Sequence, residues 1–217
     1  MMAPFVRTSD VEVGHLPLPG ILAIPEDPRG LVIFAHGSGS SRFSPRNALA
    51  ARRHHTANFA TLLFDLLTHT ESADRRNVFD IPLLAIRMGE AISWKRTERQ
   101  ISKLPVGLFG ASTGAAAALA AAAAHPGEVA AVVSRGGRPD LAADALAHVR
   151  APTLLIVGSE DHDVLLLNQE ARDRMRCQTD LLIIPGAGHL FEEPGTLDRA
   201  LTGAVSWFMS HLAGEPR

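Results

Sequence analysis

The chain has 217 residues, of which 46% are hydrophobic and 20% are charged. This length fits one globular domain over residues 1–217, because domains of this size bury roughly 70 to 75% of the surface that the unfolded chain exposes. Lys and Arg number 21 against 23 Asp and Glu, which leaves a net charge of -2. That balance excludes the basic surface by which proteins bind nucleic acid, so we expect no nucleic-acid partner.

The cysteine content and the amino-terminal segment bear on the compartment. Cys177 is the only cysteine, which excludes an intramolecular disulfide and a metal site made of cysteines and favours a reducing compartment. The first 13 residues lack the pattern of a signal peptide, and no uninterrupted apolar stretch reaches the length of about 18 residues that crosses a bilayer. We therefore expect a cytoplasmic protein with no membrane partner, while the oligomeric state stays open.

Short runs rich in Val, Ile and Leu recur along the chain and predict buried strands. They are continuously apolar, as strands covered by helices on both faces need to be. The predicted strands are 31–35, 61–65, 106–110, 129–133, 153–157 and 181–184. Residues 11–24 suggest one or two antiparallel edge strands, which Pro17, Pro19 and Pro25 would confine to short pieces. These runs predict a parallel central sheet.

Apolar residues spaced three or four apart predict helices between the strands. The two clearest stripes are Ile81, Leu84, Ala85, Met88, Ile92 and Leu197, Leu201, Val205, Phe208, Leu212. Ser44 before Pro45 is typical of a helix start, and Asp80 is suited to cap the helix that follows it. The alternation of strands and helices predicts an α/β fold, a three-layer sandwich with a mostly parallel central sheet and right-handed crossovers.

A serine lies between a predicted strand and a predicted helix, in the sequence Gly110-Ala111-Ser112-Thr113-Gly114. On such a tight turn a serine adopts strained backbone geometry that lifts its hydroxyl above the sheet. The glycines two residues away on either side relieve crowding where strand and helix converge. We interpret Ser112 as a nucleophile; the alternative is a serine that only caps the helix.

A serine hydroxyl needs a base to take its proton near neutral pH, and histidine is the suitable residue. Because the chain has ten histidines, position must choose among them. In sites of this kind the acid and then the base follow the serine, each in a loop after a later strand. His189 follows the last predicted strand and is the predicted base; the alternative is a histidine in a surface loop. His54 and His55 lie on a predicted helix and are expected to face solvent; the alternative is that they bind a metal.

The acid is expected in the loop after strand 153–157, where Glu160, Asp161 and Asp163 crowd together. Asp161 best matches the usual offset after the strand and is predicted to hold the imidazole in the correct tautomer. Asp163 is the main rival and Glu160 a weaker one. Asp161, His162 and Asp163 also suggest a metal cluster, but adjacent residues on one loop rarely close a coordination shell. We expect no metal and no organic cofactor.

Two backbone N–H groups are expected to stabilise the oxyanion that forms when a serine attacks a carbonyl. We assign them to Thr113, directly after the nucleophile, and to Ser38, in the glycine- and serine-rich loop 36–41. This loop also suggests phosphate binding, yet it lacks the lysine and the spacing of a nucleotide loop. His36 is interpreted as a residue that braces the loop, with a second base as the alternative.

Three segments carry a resemblance to a known family: FGASTGA at 109–115, VSRGGRPD at 133–140 and PGAGHLFEEP at 185–194. With these motifs in this order, the chain resembles the α/β-hydrolases across nearly its full length. More narrowly it resembles the dienelactone hydrolase-related group of small intracellular hydrolases. Dienelactone hydrolases proper use cysteine at the position of Ser112, so the resemblance implies a serine esterase mechanism rather than the dienelactone substrate itself. Some relatives with these motifs are fused to phosphoribosyltransferase-like domains.

The resemblance also bears on substrate size. Many hydrolases of this fold insert a helical lid after the strand that corresponds to 129–133. Here only residues 134–152 precede the next strand, which leaves no room for a lid domain. We therefore expect an open site and a small substrate rather than a lipase that opens at an interface.

Two segments near strand ends are candidates for setting specificity. Residues 65–80 form a long polar connection, where functional loops collect. Arg135 and Arg138 follow another strand, and their guanidinium groups suit a substrate carboxylate. The alternative is that they brace a loop by pairing with Asp140 or Asp74.

These residues predict a serine hydrolase that acts on a small-molecule ester or lactone through Ser112, His189 and Asp161. Two other functions remain open. The same triad acts on thioesters or peptides in other enzymes, and an α/β-hydrolase scaffold without catalysis would bind a ligand or a partner.

Overall fold

The computed structural model describes residues 5–212 of the chain, and its centre is a sheet of eight strands. The strands are β1 Val6–Val13, β2 Leu18–Pro25, β3 Gly30–Ala35, β4 Phe59–Phe64, β5 Val106–Ala111, β6 Val129–Arg135, β7 Thr153–Gly158 and β8 Thr179–Ile184. Their order across the sheet is β1-β2-β4-β3-β5-β6-β7-β8. β1 and β2 run antiparallel to their neighbours, whereas β3 to β8 pair in parallel. The mostly parallel α/β sheet predicted from the sequence is therefore confirmed.

Helices cover both faces of this sheet. In the described part of the chain they are α1 Pro45–Thr56, α2 His69–Ser72, α3 Arg75–Val78, α4 Ile81–Trp94, α5 Thr113–Ala124, α6 His162–Arg174 and α7 Thr196–His211. Short 3₁₀ segments cover Lys95–Thr97 and Pro139–His148. Apolar residues of α1 and α7 share one buried core with the sheet, and those of α4 and α5 share the other. Two cores explain why the inner strands are apolar on both faces.

The predicted helix starts match the structure. Ser44 caps α1, where its Oγ accepts a hydrogen bond from Asn47 N at 3.3 Å. Asp80 caps α4, where Oδ1 accepts from Leu83 N at 2.9 Å. Such caps satisfy backbone donors that have no partner inside the helix. No inserted domain follows β6, because the connection to β7 holds only the 3₁₀ segment.

The amino-terminal strands differ from the prediction. β1 and β2 each have eight residues, and β2 lies inside the sheet between β1 and β4. The prolines are tolerated because Pro17 lies before β2, and only Gly20 to Ala23 of that strand pair with β4. Pro19 and Pro25 thus lie outside this stretch, where a missing N–H removes no hydrogen bond to β4.

His54 does not face solvent, contrary to the prediction. It has no exposed surface and packs among Phe34, Phe109 and Phe208 in the core beneath α1. Its Nδ1 donates to the Ala50 carbonyl oxygen at 2.7 Å. Burial lowers the pKa of this imidazole to about 4, which keeps the ring neutral near pH 7.

His55 is half-buried and also has a partner inside the protein. Its Nε2 lies 2.8 Å from the Thr61 hydroxyl oxygen. Burial lowers the pKa of this histidine as well.

Between residues 5 and 212 no helix is both long enough and apolar enough to cross a membrane.

Candidate active site

Ser112 occupies a strained turn between β5 and α5. Its backbone has a φ of 51° and a ψ of -123°, a conformation that residues other than glycine rarely adopt. Hydrogen bonds on both sides hold the turn: Ser112 N donates to the Arg135 carbonyl oxygen at 3.3 Å, and Arg138 N donates to the Ser112 carbonyl oxygen at 3.1 Å. Strain persists only where the surroundings fix it, and such strain collects at functional sites.

Two glycines make this turn sterically feasible. A Cβ on Gly110 would lie 2.7 Å from Ala115 N, and a Cβ on Gly114 would lie 2.5 Å from the His36 carbonyl oxygen. Both distances are too short for a real Cβ. The pattern of a glycine two residues before and after Ser112 therefore reflects the close approach of α5 to β5 and to the loop after β3.

His189 and Asp161 meet across two loops at the same end of the sheet. His189 Nδ1 lies 2.6 Å from Asp161 Oδ2. Because a carboxylate only accepts hydrogen bonds, Nδ1 carries the proton and Nε2 is left to accept one. Asp161 precedes α6 and makes no side-chain cap bond to it. Of the three neighbouring acids, the structure thus brings Asp161 to His189.

The rival acids have other surroundings. Glu160 Oε1 accepts a hydrogen bond from the Ser159 hydroxyl at 2.8 Å. Asp163 lies in the first turn of α6, where a negative charge suits the amino-terminal end of the helix. Within residues 5–212 no group of three or more His, Cys, Asp or Glu side chains is arranged to hold a metal ion.

The imidazole of His189 lies beside the Ser112 turn. A Cβ on Gly136 would be 3.8 Å from His189 Cε1, and Gly136 directly follows Arg135, whose carbonyl oxygen accepts from Ser112 N. In this structure no hydrogen bond joins the Ser112 hydroxyl to the imidazole. Catalytic hydrogen bonds are often long without substrate and tighten when substrate binds. The structure thus places the imidazole next to Gly136, the residue after the partner of Ser112 N.

The loop after β3 packs directly on the turn, but one of its amides differs from the expectation. Ser38 N already donates to Thr113 Oγ1 at 2.9 Å. The sequence suggested that this N–H would be free to receive an oxyanion, and in the structure it is not, because the threonine side chain takes it. Thr113 N begins α5 and has no acceptor inside the helix, as first-turn amides do not.

His36 braces this loop, as expected. Its Nδ1 donates to the Gly37 carbonyl oxygen at 3.1 Å, and its Nε2 accepts from Leu66 N at 3.2 Å. The ring thereby joins the loops after β3 and β4. Burial lowers the pKa of His36, although the Gly37 hydrogen bond and the charge of Asp65 oppose that shift. The neutral ring is the form that both hydrogen bonds need.

A cavity of about 520 Å³ lies beside the turn. The loop after β3 and the 65–72 segment form most of its wall, and Ser38 and Thr113 border it. Ser112 and His189 do not line it, so the cavity adjoins the site rather than covering it. Asp65 forms an ion pair with Arg42 and accepts from Arg42 N at 2.7 Å, which ties the two walls together.

The two predicted substrate arginines have different surroundings. Arg138 donates to both oxygens of Asp140, at 2.8 and 2.7 Å, so the bracing alternative describes it. Arg135 is only 8% exposed and forms no ion pair or side-chain hydrogen bond with the described residues. Its guanidinium lies 5.8 Å from the centre of the Phe109 ring. Burial, followed by the nearby charge of Arg46, lowers the pKa of Arg135 to about 10.

Two contacts at this site are not among the predictions from the sequence. Asp65 directly follows the end of β4, and a polar residue at the end of a strand often belongs to a functional loop. The hydroxyl contact of Thr113 gives no such signal, because it depends on how closely the loop after β3 approaches α5.

Comparisons with other proteins agree with the fold. Residues 18–206 match the model of the dienelactone hydrolase family. Two proteins from Mycobacterium tuberculosis, of strains CDC 1551 / Oshkosh and ATCC 25618 / H37Rv, are named "Putative phosphoribosyl transferase". Each is 55% identical over 213 residues, which is 97% of this chain and 48% of the relative. The chain therefore spans about half the length of these curated relatives.

Solved structures include similar chains. The dienelactone hydrolase from Anabaena variabilis ATCC 29413 is 50% identical, with a TM-score of 0.92, over 97% of this chain and 100% of that one. The esterase Pf2001 from Pyrococcus furiosus shares the fold at 14% identity, with a TM-score of 0.74, over 96% and 94% of the two chains. Since the family model covers most of its length, this chain belongs to the dienelactone hydrolase family.

Proposed function

We propose that this protein is a serine hydrolase that cleaves a small carboxylic ester or lactone through an acyl-enzyme. The observation that carries the proposal is the 2.6 Å contact between His189 Nδ1 and Asp161 Oδ2, beside the strained turn of Ser112. Acyl transfer requires a base with a fixed tautomer and a nucleophile at the same end of the sheet. Membership of the dienelactone hydrolase family supports hydrolytic chemistry.

In the proposed reaction, Ser112 Oγ attacks the carbonyl carbon while His189 Nε2 takes the hydroxyl proton. Asp161 keeps Nδ1 protonated and stabilises the imidazolium that forms. The tetrahedral oxyanion then collapses, the bond to the leaving alkoxide breaks, and the alkoxide takes the proton from Nε2. Water attacks the acyl-enzyme after giving a proton to Nε2, and that proton returns to Ser112 as the acid product leaves.

The surroundings of the site favour a small substrate. No inserted domain follows β6, and the adjoining cavity has a volume of about 520 Å³. Arg135 stays a proposed contact for a substrate carboxylate, because an unpaired buried charge is costly and an anion would relieve that cost. Arg138 is not proposed to bind substrate, because it forms an ion pair with Asp140.

The first experiment is labelling with a fluorophosphonate probe followed by peptide mapping. We expect the label on Ser112, no labelling of the Ser112→Ala variant and strongly reduced labelling of His189→Ala. Ser206→Ala, on the exposed side of α7, is the matched control and should label like the wild type. A folded wild-type protein that does not react would favour a noncatalytic scaffold.

A second experiment separates the classes of substrate. p-Nitrophenyl esters, small lactones, acyl-CoA thioesters and peptides are compared by kcat/KM with the same enzyme preparation. We expect esters or lactones to give the highest values. A higher kcat/KM for thioesters or peptides would support the same triad but show that the ester or lactone substrate class is wrong.

A further inference from the structure

The side chain of Thr113 contacts the loop after β3, in addition to the backbone N–H of Thr113 that is expected to bind the oxyanion. Its Oγ1 accepts a hydrogen bond from Ser38 N at 2.9 Å, and the residue is only 4% exposed. A hydroxyl that accepts in this way still has one O–H to donate. Among the described residues the Thr113 hydroxyl donates to no acceptor, and the residue borders the cavity next to Ser112.

The position of Thr113 in its helix explains why the O–H is free. A threonine inside a helix usually donates to the carbonyl three or four residues earlier. For Thr113 those residues are Gly110 and Phe109, which belong to β5 and pair within the sheet. The usual acceptor is thus absent at the first position of α5, and the proton is available for a ligand.

We propose that the Thr113 hydroxyl donates a hydrogen bond to the oxyanion formed at Ser112, beside the N–H of the same residue. This inference rests on the proposed hydrolase function and names a further catalytic residue for it. Oγ1 is three bonds from its own backbone nitrogen, so one small anion can receive both hydrogen bonds. Ser38 N then acts through Thr113, because a hydrogen bond accepted by a hydroxyl strengthens the one that it donates.

A competing arrangement makes the opposite prediction. If the hydroxyl only occupies Ser38 N in the free enzyme, it has to turn away before the amide can receive the oxyanion. Removing the hydroxyl would then free the amide and raise the rate or leave it unchanged. If the hydroxyl itself donates to the oxyanion, removing it lowers the rate.

The test compares Thr113→Val, Thr113→Ala and Thr113→Ser with the wild type on one p-nitrophenyl ester. We expect valine and alanine to lower kcat by about 100-fold with little change in KM, as loss of one oxyanion donor does. Serine keeps the hydroxyl and should stay within a few-fold of the wild type. Thr202→Val, on the exposed side of α7, is the matched control.

A transition-state analogue supplies the second readout. The nucleophile adds to the carbonyl carbon of a trifluoromethyl ketone and forms a tetrahedral oxyanion. The inhibition constant of this compound should therefore rise in Thr113→Val by about the same factor as kcat/KM falls. If valine does not fold, as judged by circular dichroism, alanine carries the comparison with serine.

Equal or higher kcat in a folded valine or alanine variant would overturn the role of Thr113. The same proposal is wrong if the inhibition constant stays unchanged. Failure of the hydrolase function is a different result, since Ser112→Ala would then retain the activity of the wild type.

Discussion

The carboxylate of Asp161 and the imidazole of His189 lie 2.6 Å apart although the two residues are 28 positions apart along the chain. One residue follows β7 and the other follows β8, and these strands are parallel neighbours at the edge of the sheet. Their carboxyl ends therefore bring the two loops together. The pair forms because of sheet order, and it needs no other element to bridge it.

This contact predicts which acid supports catalysis. Asp161→Asn should lower kcat by roughly 10³- to 10⁴-fold, because an amide no longer fixes Nδ1 as the protonated nitrogen. Asp163→Asn, on the first turn of α6, should stay within about threefold on the same criterion. The measurement is ester hydrolysis by both variants. A larger loss of kcat in Asp163→Asn than in Asp161→Asn would show that Asp163, and not Asp161, is the acid.

The buried His54 predicts a specific loss of stability in acid. Its pKa is about 4 in the folded protein, against an ordinary value of 6.5. The unfolded chain therefore binds more protons between these values, so the stabilisation is complete above pH 6.5 and declines as the pH falls toward 4. The difference corresponds to about 3 kcal/mol in the free energy of unfolding. His36, whose pKa is also lowered, adds in the same direction.

Urea unfolding at pH 7 and pH 4.5 measures this effect. The free energy of unfolding should fall less in His54→Leu than in the wild type, because the variant lacks the group that takes up the proton. Equal losses in the two proteins would mean that His54 does not control the acid stability.

Arg135 predicts a dependence on substrate charge. Arg135→Met should raise KM by about 10-fold or more for an ester that carries a free carboxylate, since charge-assisted hydrogen bonds contribute about 1.5 to 3 kcal/mol. A neutral ester of similar size should change little. Arg138→Met removes a charge at the same end of the sheet and serves as the control, because Asp140 pairs with it. Equal effects on both esters would remove Arg135 from substrate binding.

Gly114 predicts a steric requirement at the turn. Gly114→Ala places a Cβ 2.5 Å from the His36 carbonyl oxygen and should cost about 3 kcal/mol of stability together with most of the activity. Gly127→Ala meets nothing within 4 Å, although its φ of 88° makes it mildly strained. Thermal unfolding and ester hydrolysis of the two variants compare these effects. A milder loss for Gly114→Ala than for Gly127→Ala would contradict the close packing of the turn.

Much of the fold follows from local patterns in the sequence. The inner strands are predictable because both of their faces are buried, which makes them continuously apolar. β2 is less predictable, since Pro19 and Pro25 argue against a strand inside a sheet. The structure accommodates them because the pairing with β4 covers only Gly20 to Ala23.

The candidate site was predictable where it depends on chain order and not where it depends on contacts between distant side chains. Ser112, Asp161 and His189 each follow a strand, and parallel strands bring such residues to one edge. The burial of His54 is not predictable from its helix, because a polar residue on a helix usually faces solvent, whereas here an aromatic cluster surrounds it. The pairing of Ser38 with Thr113 depends on tertiary packing alone.

In the proposed reaction Ser112 attacks the substrate while His189 Nε2 takes its proton. The most direct measurement is a crystal structure of the protein after reaction with a fluorophosphonate. We expect a phosphonyl group on Ser112 Oγ, His189 Nε2 within about 3 Å of that oxygen, and an intact contact between Asp161 and His189. A label on any other residue, or an imidazole turned away from a labelled Ser112, would contradict it.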